Sequence, residues 1–450
     1  MIKITSRFLV VLVVAAILIA GCSGKIVDAK STIADGQKVS KPNIIFVLLD
    51  DVSAKEFSIY GGRGINTPTF DKMAKEGVAF NTAYASPICG PTRANLITAK
   101  YAHGNKHYSH SNTPKTTLSE AHYTMGEAMS DAGYRTAWFG KQHHDRSLNP
   151  SDFGFDNYVI CKQWLGHDGP SQGRTGPDGM YGGTWYWHPA ILANGAGVPT
   201  TPNDFGPGIE LDSLISFVSK PADEPFFAYW PTNLPHHEYD PQADKWYRPD
   251  VPAFDRDGEP TGERIPGSLK SNIEYMDMAM EKIIATLEET NQLDNTVIFM
   301  IGDNGTAGYG KGQMQNEVAL RVPFIAYGPQ HVVKREMSDV LVDMTDMLPT
   351  FLELADYSTP ETRSMHGKSF ASYLQGETFE SRDWIASQLD EARWLRTQEW
   401  LLDGNGDLWF CGDESDEQMF QKVNVQSSEE YKLKKQEMQA LLDQNIPKLN

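Results

Sequence analysis

The segment from Ser86 to Arg93 places a cysteine beside features that bind anions. Cys89 is followed by Pro91 and Arg93, which open a short helix predicted from Ala94 to Ala99. Proline presets the backbone of a first helical turn, and the free N–H groups of a helix N-terminus attract an anion. Arg93 adds a planar cation. The segment therefore suggests a reactive sulfur, or a group made from it, at a site for a tetrahedral anion, although these residues alone do not establish one.

Oxygen ligands follow two of the apolar runs in the chain. Asp50 and Asp51 end one run, and Asp303 and Asn304 follow another. Ligands of open α/β sheets bind beyond the carboxyl ends of the strands. Four hard oxygen donors suit Ca²⁺ or Mg²⁺ and disfavour zinc, which prefers histidine and cysteine. Either pair alone would be interpreted as a turn or a helix N-cap, but the two pairs together favour a divalent metal.

Basic side chains recur near the ends of predicted strands. Lys141 and His143 follow one strand, His236 follows another after a short loop, and Lys311 lies in a glycine-rich loop. A single histidine or lysine in a loop is most often only solvated. In an acidic protein, however, their recurrence together with Arg93 predicts that they converge on a doubly charged anion that faces the metal.

The elements that must position these side chains are predicted from the apolar patterns. Continuous apolar runs predict buried strands at Asn43–Leu49, Tyr134–Phe139, Pro225–Trp230, Thr296–Ile301 and Pro323–Tyr327. Helical periodicity predicts helices from about Thr69 to Gly77 and at Leu118–Ala132, Ile209–Ser219, Ser268–Asn291 and Thr345–Ala355. This alternation predicts an α/β fold with a large mixed, mainly parallel sheet sandwiched by helices.

Two regions depart from that alternation. From about Asn149 to Gly208 the periodicity fails, and glycine, proline and aromatic residues predict a long functional loop. From about Ser381, short strand-like segments lead to a terminal helix, Glu429–Gln444. We therefore predict a main domain over residues 41–380 and a smaller C-terminal α+β subdomain with a short antiparallel sheet over residues 381–450.

The N-terminus has the pattern of an export signal. Lys3 and Arg7 precede an apolar run from Phe8 to Ala20, which is typical of a signal peptide. Leu18 to Cys22 also resembles the bacterial lipobox, with ordinary cleavage beside a chance cysteine as the alternative. We predict a lipoprotein signal peptide over residues 1–21, lipidation of Cys22 and a flexible tether over 22–40. The protein would then be an exported bacterial lipoprotein of the periplasm or cell surface, held at the membrane by its lipid anchor only.

Composition narrows the possible partners. The 450-residue chain has a formal charge of −19, which gives no support to nucleic-acid binding, because phosphate contacts need patches of lysine and arginine. Four cysteines are present. If Cys22 carries lipid and Cys89 carries chemistry, then Cys161 and Cys411 could form one disulfide, and the sequence leaves their pairing open.

Taken in order, the motifs resemble those of type I sulfatases in the alkaline-phosphatase-like superfamily. The matching motifs are Asp50-Asp51 after an apolar strand, Cys89-Gly90-Pro91-Thr92-Arg93, Gly140-Lys141-Gln142-His143, Pro235-His236, Gly302-Asp303-Asn304-Gly305, Lys311 and Arg321-Val322-Pro323. The resemblance covers roughly residues 42–375 well and the C-terminal subdomain in outline. No single motif is decisive, but the ordered set is highly specific.

The resemblance implies a modified residue and a metal. A separate formylglycine-generating maturation enzyme would convert Cys89 to formylglycine, whose hydrated aldehyde is the nucleophile. One divalent cation, Ca²⁺ in preference to Mg²⁺, would be bound by residue 89 together with Asp50, Asp51, Asp303 and Asn304.

The resemblance also implies roles for the basic residues. Arg93 and Lys141 would favour an ionised hydroxyl on residue 89. Lys141, Lys311 and His236 would neutralise the sulfate oxygens, and His236 or Lys311 would protonate the departing alcohol. His143 would act as base on the second hydroxyl, so that sulfate is expelled and the aldehyde is restored.

Some positions depart from the family pattern. Thr92 stands where serine is usual, which raises the question of how well the maturation enzyme accepts this site. Gln142 and His144 replace a tryptophan and an aliphatic residue, and Asn316 to Leu320 replaces a usual Glu-Gly-Gly stretch before Arg321. We interpret these last changes as variation in the substrate pocket.

The substrate must be inferred from weaker signals. The aromatic run at 185–188 either forms a platform for a sugar ring or packs against itself. The candidate substrate-binding residues are His107, His110, His144, Trp185, Tyr186, Trp187, His188, His237 and Arg396. An exported, surface-tethered member of this family would desulfate an extracellular polysaccharide or oligosaccharide. The alternatives are an arylsulfatase, a phosphodiesterase or phosphonate hydrolase of the same superfamily, and a surface lipoprotein that binds glycans without catalysis.

Overall fold

A computed structural model describes residues 26–27, 41–143, 149–161, 185–240, 245–255, 258–412 and 421–449. The predicted signal peptide over residues 1–21, Cys22 and His144 lie outside these residues. Of the predicted tether, only the two-residue strand at 26–27 is described, and it pairs with residues 379–380. Among the described helices, none is both long enough and apolar enough to span a bilayer.

The strands and helices are bounded as follows. In chain order the strands are β1 (Ile26–Val27), β2 (Asn43–Leu49), β3 (Val78–Phe80), β4 (Ala83–Tyr84), β5 (Arg135–Phe139), β6 (Asn157–Cys161), β7 (Ile191–Ala193), β8 (Ala196–Val198), β9 (Phe226–Pro231), β10 (Glu238–Asp240), β11 (Lys245–Tyr247), β12 (Val251–Phe254), β13 (Pro260–Ile265), β14 (Thr296–Gly302), β15 (Phe324–Tyr327), β16 (Glu336–Ser338), β17 (Val342–Asp343), β18 (Phe379–Glu380), β19 (Ile385–Leu389), β20 (Ala392–Arg396), β21 (Trp400–Leu402), β22 (Leu408–Phe410) and β23 (Gln421–Lys422). The α-helices are α1 (Pro68–Glu76), α2 (Cys89–Thr98), α3 (Ala102–Asn105), α4 (Leu118–Ala121), α5 (Met125–Asp131), α6 (Gly206–Val218), α7 (Leu269–Glu289), α8 (Met347–Leu354), α9 (Ala371–Leu374) and α10 (Glu429–Asn445).

The main sheet is mixed and mainly parallel. In the described part of the chain it has ten strands in the order β16-β3-β15-β14-β2-β9-β5-β6-β7-β8. The five strands from β14 to β6 are parallel to one another, whereas β15 is antiparallel to both β14 and β3. This arrangement confirms the predicted fold class.

Helices cover both faces of the sheet, as the unbroken apolar runs predict. On β2, Phe46 faces one core together with Leu96 of α2, while Val47 faces the other together with Ile273 of α7. Helices α2, α5 and α8 pack on the first face, and α1, α6 and α7 pack on the second. Every residue of β2 is buried, so the central strands are held rigidly and their ends form a fixed platform.

Some sequence predictions of local structure were wrong. Helix α2 begins at Cys89 rather than at Ala94. The helix predicted over 118–132 is divided into α4 and α5, because Thr124 and Glu127 form a new capping box. The region 149–208 contains β6, β7 and β8, the last three strands at one side of the main sheet. In the turn between β7 and β8, Asn194 and Gly195 have the left-handed conformation of a type I′ hairpin.

The C-terminal part forms a separate antiparallel sheet in the order β19-β20-β21-β22-β23, which confirms the predicted α+β subdomain. Helix α10 packs on this sheet through Met438 and Leu442, which share an apolar cluster with Leu395. Residues 394–402, which fall in the strand-like region predicted from about Ser381, belong to two strands, β20 and β21. Cys161 and Cys411 are both buried, and no disulfide joins them in this structure.

Candidate active site

The register of the central strands brings the acidic residues together. Leu49 of β2 lies opposite Gly302 of β14 in a parallel ladder, so the next residues of both strands leave the same edge of the sheet. The Asp303 backbone N–H donates to Leu49 O at 2.8 Å, and the Asp51 N–H donates to Asp303 Oδ1 at 3.0 Å. Asp51 has φ 62°, a left-handed conformation that is uncommon for this residue type and is frequent at functional sites.

Three oxygens of these side chains have the environment of metal ligands. Asp50 Oδ1, Asp51 Oδ2 and Asn304 Oδ1 are buried and accept no hydrogen bond from the described residues. Buried polar atoms in proteins almost always have a partner, because an unpaired one costs free energy. Ligand atoms of Asp50, Cys89 and Asp303 also lie within 4.8 Å of one another. These hard oxygens fit a Ca²⁺ or Mg²⁺ ion, which Asp50, Asp51, Asp303, Asn304 and residue 89 would hold.

The charges of the acidic cluster are only partly balanced by the protein. Burial alone would raise the pKa of Asp50, but Lys141, His236 and Arg93 outweigh it and lower that pKa to about 2. Burial and the nearby Asp50 charge raise the pKa of Asp303 well above its ordinary value, although Arg93 opposes the shift. A divalent cation bound between the carboxylates would remove this repulsion and favour their ionised forms.

Cations from three different elements surround the acidic residues. Arg93 on α2 donates from Nη2 to Asp303 Oδ2 at 2.9 Å, and Lys141 after β5 pairs with Asp50 Oδ2. Lys311 places its Nζ 2.6 Å from Asp51 Oδ1. The pKa values of Arg93 and Lys311 are raised, because the neighbouring negative groups outweigh the burial of each side chain.

Cys89 is the first residue of α2 and lies between the acids and two histidines. Its Sγ is 3.2 Å from His143 Nδ1 and 3.5 Å from His110 Nε2. Burial would raise the pKa of the thiol, but Lys141, His143 and Lys311 lower it well below the ordinary value. The next residue, Gly90, has no room for a side chain, since an added Cβ would lie 2.9 Å from the rings of both His107 and His110.

Two histidines next to the cations are neutral at pH 7. Burial lowers the pKa of His143 to about 4, and burial also lowers the pKa of His236, despite the opposing charge of Asp51. His236 Nε2 lies 3.1 Å from Lys311 Nζ, so this histidine and this lysine form a pair through which a proton can be transferred.

The sulfatase family model matches residues 42–357 of the chain, which is well over half of its length. The chain belongs to the sulfatase family. This match confirms the resemblance to type I sulfatases of the alkaline-phosphatase-like superfamily that the motifs indicated.

Among curated relatives of this chain, an ulvan-active sulfatase of Formosa agariphila is 27% identical over 352 residues, covering 77% of this chain and 60% of the relative. The human N-acetylgalactosamine-6-sulfatase is 27% identical over 373 residues, covering 74% of this chain and 66% of the relative. The chain thus spans 60–66% of the length of these two relatives.

Solved structures share the fold of this chain. Ps i-CgsB in complex with k-i-k-neocarrahexaose superposes with a TM-score of 0.67 at 22% identity, over 90% of this chain and 92% of that one. A protein in complex with its substrate D-glucosamine-2-N,6-O-disulfate superposes with a TM-score of 0.66 at 20% identity, over 90% and 97% of the two chains. At these identities the likeness is evidence for the fold.

The Thr92 hydroxyl has a structural role in the turn before Cys89. Its Oγ1 accepts from the Ser86 N–H at 3.0 Å and lies 3.2 Å from both Ser86 O and Ile88 O. The side chain is fully buried. The hydroxyl therefore closes the turn that leads to Cys89, which a serine in the same place would also do.

Only some of the candidate substrate-binding residues lie beside the charged cluster. The Trp185 ring meets His236 edge to face at 5.2 Å, and His107 lies next to Gly90. His237 follows His236 directly, and its carbonyl contacts His236 Nδ1.

Others are placed among different neighbours. Trp187 donates to Asp250 O and lies under the Arg264 guanidinium, and His188 Nε2 lies 2.9 Å from Thr200 O. Arg396 is buried near Glu317, Tyr84 and Cys411 beneath the C-terminal sheet. The structure thus places these three residues in packing and ion-pair roles that their sequence context did not reveal.

Tyr186, predicted as part of an aromatic platform, supports the site instead, and sequence reasoning missed the supporting residues Glu238, Tyr247 and Arg248. The Tyr186 hydroxyl donates to both Asn233 O and His236 O, so this buried ring supports the histidine loop from below. Glu238 accepts from the Trp185 N–H and from the Tyr247 hydroxyl, and Arg248 donates to Pro235 O. These contacts join segments far apart in the chain, and no local pattern marks them.

Proposed function

We propose that this protein is a sulfuric ester hydrolase that removes sulfate from an extracellular sulfated carbohydrate. The observation that carries the proposal is the position of Cys89, which lies between a set of buried oxygens without hydrogen-bond donors and the cations Arg93, Lys141 and Lys311. Cations and a metal site around residue 89 would stabilise the doubly charged transition state of sulfate-ester hydrolysis.

The proposal includes two groups that the chain would acquire. Residue 89, converted by a maturation enzyme to formylglycine, would supply a hydrated aldehyde as nucleophile, and Ca²⁺ would act as a Lewis acid on the reacting oxygens. The Sγ atom of Cys89 marks the side of the pocket on which the hydroxyl groups of that hydrate would be attached. The fit of the donor set described above supports the metal, and carboxylate and amide oxygens favour Ca²⁺ over zinc.

The remaining steps are carried out by side chains of this protein. Arg93 and Lys141 hold negative charge beside residue 89, and Lys311 binds the sulfate oxygens. The Lys311–His236 pair delivers a proton to the departing alcohol oxygen, because the two nitrogens are only 3.1 Å apart and one can replenish the other. His143 is neutral at pH 7 and has its Nδ1 3.2 Å from Cys89 Sγ, so it can accept the proton of a hydroxyl on residue 89.

The choice of a carbohydrate substrate is supported by the relatives, which are named for ulvan and for N-acetylgalactosamine-6-sulfate. Trp185 is almost fully buried behind His236, and Tyr186 is buried below the loop, so these rings support the pocket rather than offering an open platform. A sugar would therefore contact more accessible rings, such as His110 beside Cys89 and His237 next to His236.

The proposal is tested with protein produced together with a formylglycine-generating enzyme. Mass spectrometry of the peptide that contains residue 89 should show the mass of formylglycine, and the protein should release sulfate from sulfated oligosaccharides but little phosphate from matched phosphate esters. The Cys89→Ala variant, treated identically, should be inactive. A preference for phosphate esters, or activity that survives in Cys89→Ala, would overturn the proposal.

We further propose that the protein is exported and anchored through a lipid on Cys22, as the N-terminal motif suggests. Conversion of Cys89 must then precede folding and export, because the folded protein buries this residue. Cys22→Ser should move the protein from the membrane fraction to the soluble fraction. Equal recovery of both proteins in the membrane fraction would contradict lipid anchoring at this cysteine.

A further inference from the structure

The unconverted cysteine belongs to a second group of potential metal ligands, which shares only Cys89 with the group formed by Asp50, Cys89 and Asp303. Ligand atoms of Cys89, His110 and His143 all lie within 4.8 Å of one another. The rings of His110 and His143 are inclined at 47° with their centres 4.8 Å apart, so they converge on the sulfur without stacking. His110 is exposed and His143 is half-buried, which leaves an approach from solvent.

The spacing of these atoms is that of a tetrahedral zinc site. Zinc–sulfur bonds of about 2.3 Å and zinc–nitrogen bonds of about 2.0–2.1 Å at a tetrahedral centre place sulfur and nitrogen about 3.5 Å apart. The observed distances from Cys89 Sγ are 3.2 Å to His143 Nδ1 and 3.5 Å to His110 Nε2. Three protein ligands with a fourth open position are a common zinc arrangement.

We propose that the chain with an unconverted Cys89 binds one zinc ion through Cys89 Sγ, His110 Nε2 and His143 Nδ1. Soft thiolate and imidazole donors select zinc, whereas the carboxylates of Asp50 and Asp303 select a hard cation such as Ca²⁺. Residue 89 therefore lies between two donor sets of different chemistry. On binding, the thiol loses its proton to solvent and the sulfur forms a bond to zinc, so no oxidant or reductant is needed.

The inference goes beyond the proposed hydrolase activity, because it concerns the protein that has escaped maturation. Conversion of Cys89 replaces the sulfur with oxygen, which is a harder ligand, so it removes the donor on which this site depends. Zinc at this position would also occupy the ring nitrogen of His143 and cover the nucleophile position. Unconverted protein should therefore carry zinc, and converted protein should not.

The test uses the full chain produced without a maturation enzyme, with Ca²⁺ present in excess to fill the oxygen site. Cobalt(II) replaces zinc as a spectroscopic probe, because a thiolate bound to cobalt gives a charge-transfer band in the near ultraviolet. We expect this band to saturate at one equivalent and to disappear when Zn²⁺ is added. Loss of a residue that only hydrogen-bonds to a metal ligand lowers metal affinity by about 10- to 100-fold. His110→Ala removes a ligand itself, so it should weaken cobalt binding by about tenfold or more.

Two controls separate this site from other thiols and histidines. Cys89→Ser keeps the fold and the remaining cysteines but should abolish the band. His122→Ala removes an imidazole that contacts Lys100, and it should leave cobalt affinity unchanged. Absence of the band in the unconverted chain, its persistence in Cys89→Ser, or equal affinity in His110→Ala would each overturn the zinc site. None of these results depends on sulfatase activity, which is measured on converted protein.

Discussion

Arg396 Nη1 lies 3.5 Å from Glu317 Oε2, and both side chains are buried where the C-terminal subdomain meets the loop that follows Lys311. The same loop is held by Trp394 Nε1, which donates to Asn316 O at 2.6 Å. At its start, the Gly312 N–H donates to Pro87 O, in the segment that leads to Cys89. The C-terminal sheet thereby helps to position Lys311.

We predict that Arg396→Ala lowers both stability and turnover. Removing Arg396 takes away one of two cations beside the buried Glu317, since Arg321 Nη1 stays 3.8 Å from Glu317 Oε1, so we expect a loss of up to about 3–5 kcal/mol, the cost of breaking a buried ion pair. A loosened loop would displace Lys311, and a displacement near 1 Å can lower the rate by about 100-fold. Urea unfolding gives the stability, and kcat for sulfate release gives the positioning effect.

A control and a double variant separate these two effects. Arg393 also lies on β20 but pairs with Asp443 on the terminal helix, so Arg393→Ala should lower stability and leave kcat unchanged. Combining Arg396→Met with Glu317→Gln removes both charges and should recover part of the stability, because Arg321 loses its contact with Glu317 in this double variant. If kcat falls equally in Arg393→Ala and Arg396→Ala, the positioning role of the Glu317 loop is wrong.

The oxygen site leads to a prediction about metal binding. Because three of its oxygens accept no hydrogen bond from the described residues, Ca²⁺ should stabilise the folded protein. Calcium at a concentration 100-fold above its Kd would add about 2.7 kcal/mol. The melting temperature should therefore rise with added Ca²⁺ and fall with a chelator, and sulfate release should follow the same dependence.

Asp51→Asn is the informative variant for this site, since asparagine tolerates the left-handed backbone found at this position. It should lose most of the stabilisation by Ca²⁺. Asp294→Asn makes the same change at an exposed acid and should respond to Ca²⁺ as the unmodified protein does. An undiminished Ca²⁺ response in Asp51→Asn would show that the ion binds elsewhere.

The predictable parts of the fold are those in which the local residue pattern is compatible with only one type of secondary structure. Strands β2 and β14 match their predicted bounds within one residue, since a strand buried on both faces must be apolar throughout and ends where charges begin. Their parallel pairing then places Asp50 and Asp303 at one edge. The oxygen cluster was therefore predictable as a group.

The remaining features depend on contacts between distant parts of the chain. Strands β7 and β8 have three residues each, which is too short to show a recognisable alternation of apolar and polar side chains. Arg396 carries a charge that ordinarily indicates an exposed residue, and only the buried Glu317 explains its position. His110 and His143 are more than 30 residues apart, and only the folded helix α2 brings Cys89 between them.

The Thr92 hydroxyl leads to a prediction about the turn before Cys89. Thr92→Ser keeps the oxygen that accepts the Ser86 N–H and loses one methyl group, which costs about 0.8 kcal/mol. Thr92→Val keeps the shape but leaves that buried N–H without its acceptor, which costs about 1–3 kcal/mol. Denaturant unfolding should rank the proteins as threonine, then serine, then valine.

The same variants address maturation. Serine is the usual residue of the family at this position, so conversion of residue 89 in Thr92→Ser should equal or exceed that in the unmodified chain, as measured by mass spectrometry after expression with the maturation enzyme. A valine variant more stable than the serine variant would show that the hydroxyl contacts contribute little. A marked loss of conversion in Thr92→Ser would show that the maturation enzyme recognises the threonine side chain itself.

Glu210 on α6 gives a prediction about pH. Its carboxyl is fully buried, accepts from Trp230 Nε1 at 3.0 Å, and would lie 2.9 Å from a Cβ added at Gly140, the residue before Lys141. Burial raises the pKa of Glu210 to about 8, whereas the ordinary value of glutamate is 4.5. Between these two values the folded protein retains a proton that the unfolded chain releases.

The direction of the pH effect on stability follows from the proton that Glu210 retains in the folded protein. Stability should fall as pH rises from about 4.5 to about 8, by up to about 1.4 kcal/mol per pH unit for one group, and it should change no further above the folded pKa. Glu210→Gln keeps an oxygen for the Trp230 indole and cannot ionise. The variant should therefore lose less stability than the unmodified protein between pH 5 and pH 8, in urea unfolding at constant Ca²⁺.

Glu263→Gln, which makes the same change on an exposed hairpin, is the matched control and should keep the pH dependence of the unmodified protein. Ca²⁺-site carboxylates titrate equally in all three proteins, so their contribution cancels in the difference between pH profiles. Parallel profiles for Glu210→Gln and the unmodified chain would mean that Glu210 is ionised in the folded state. Its negative charge would then lie beneath Lys141 and add to the field that holds this cation at residue 89.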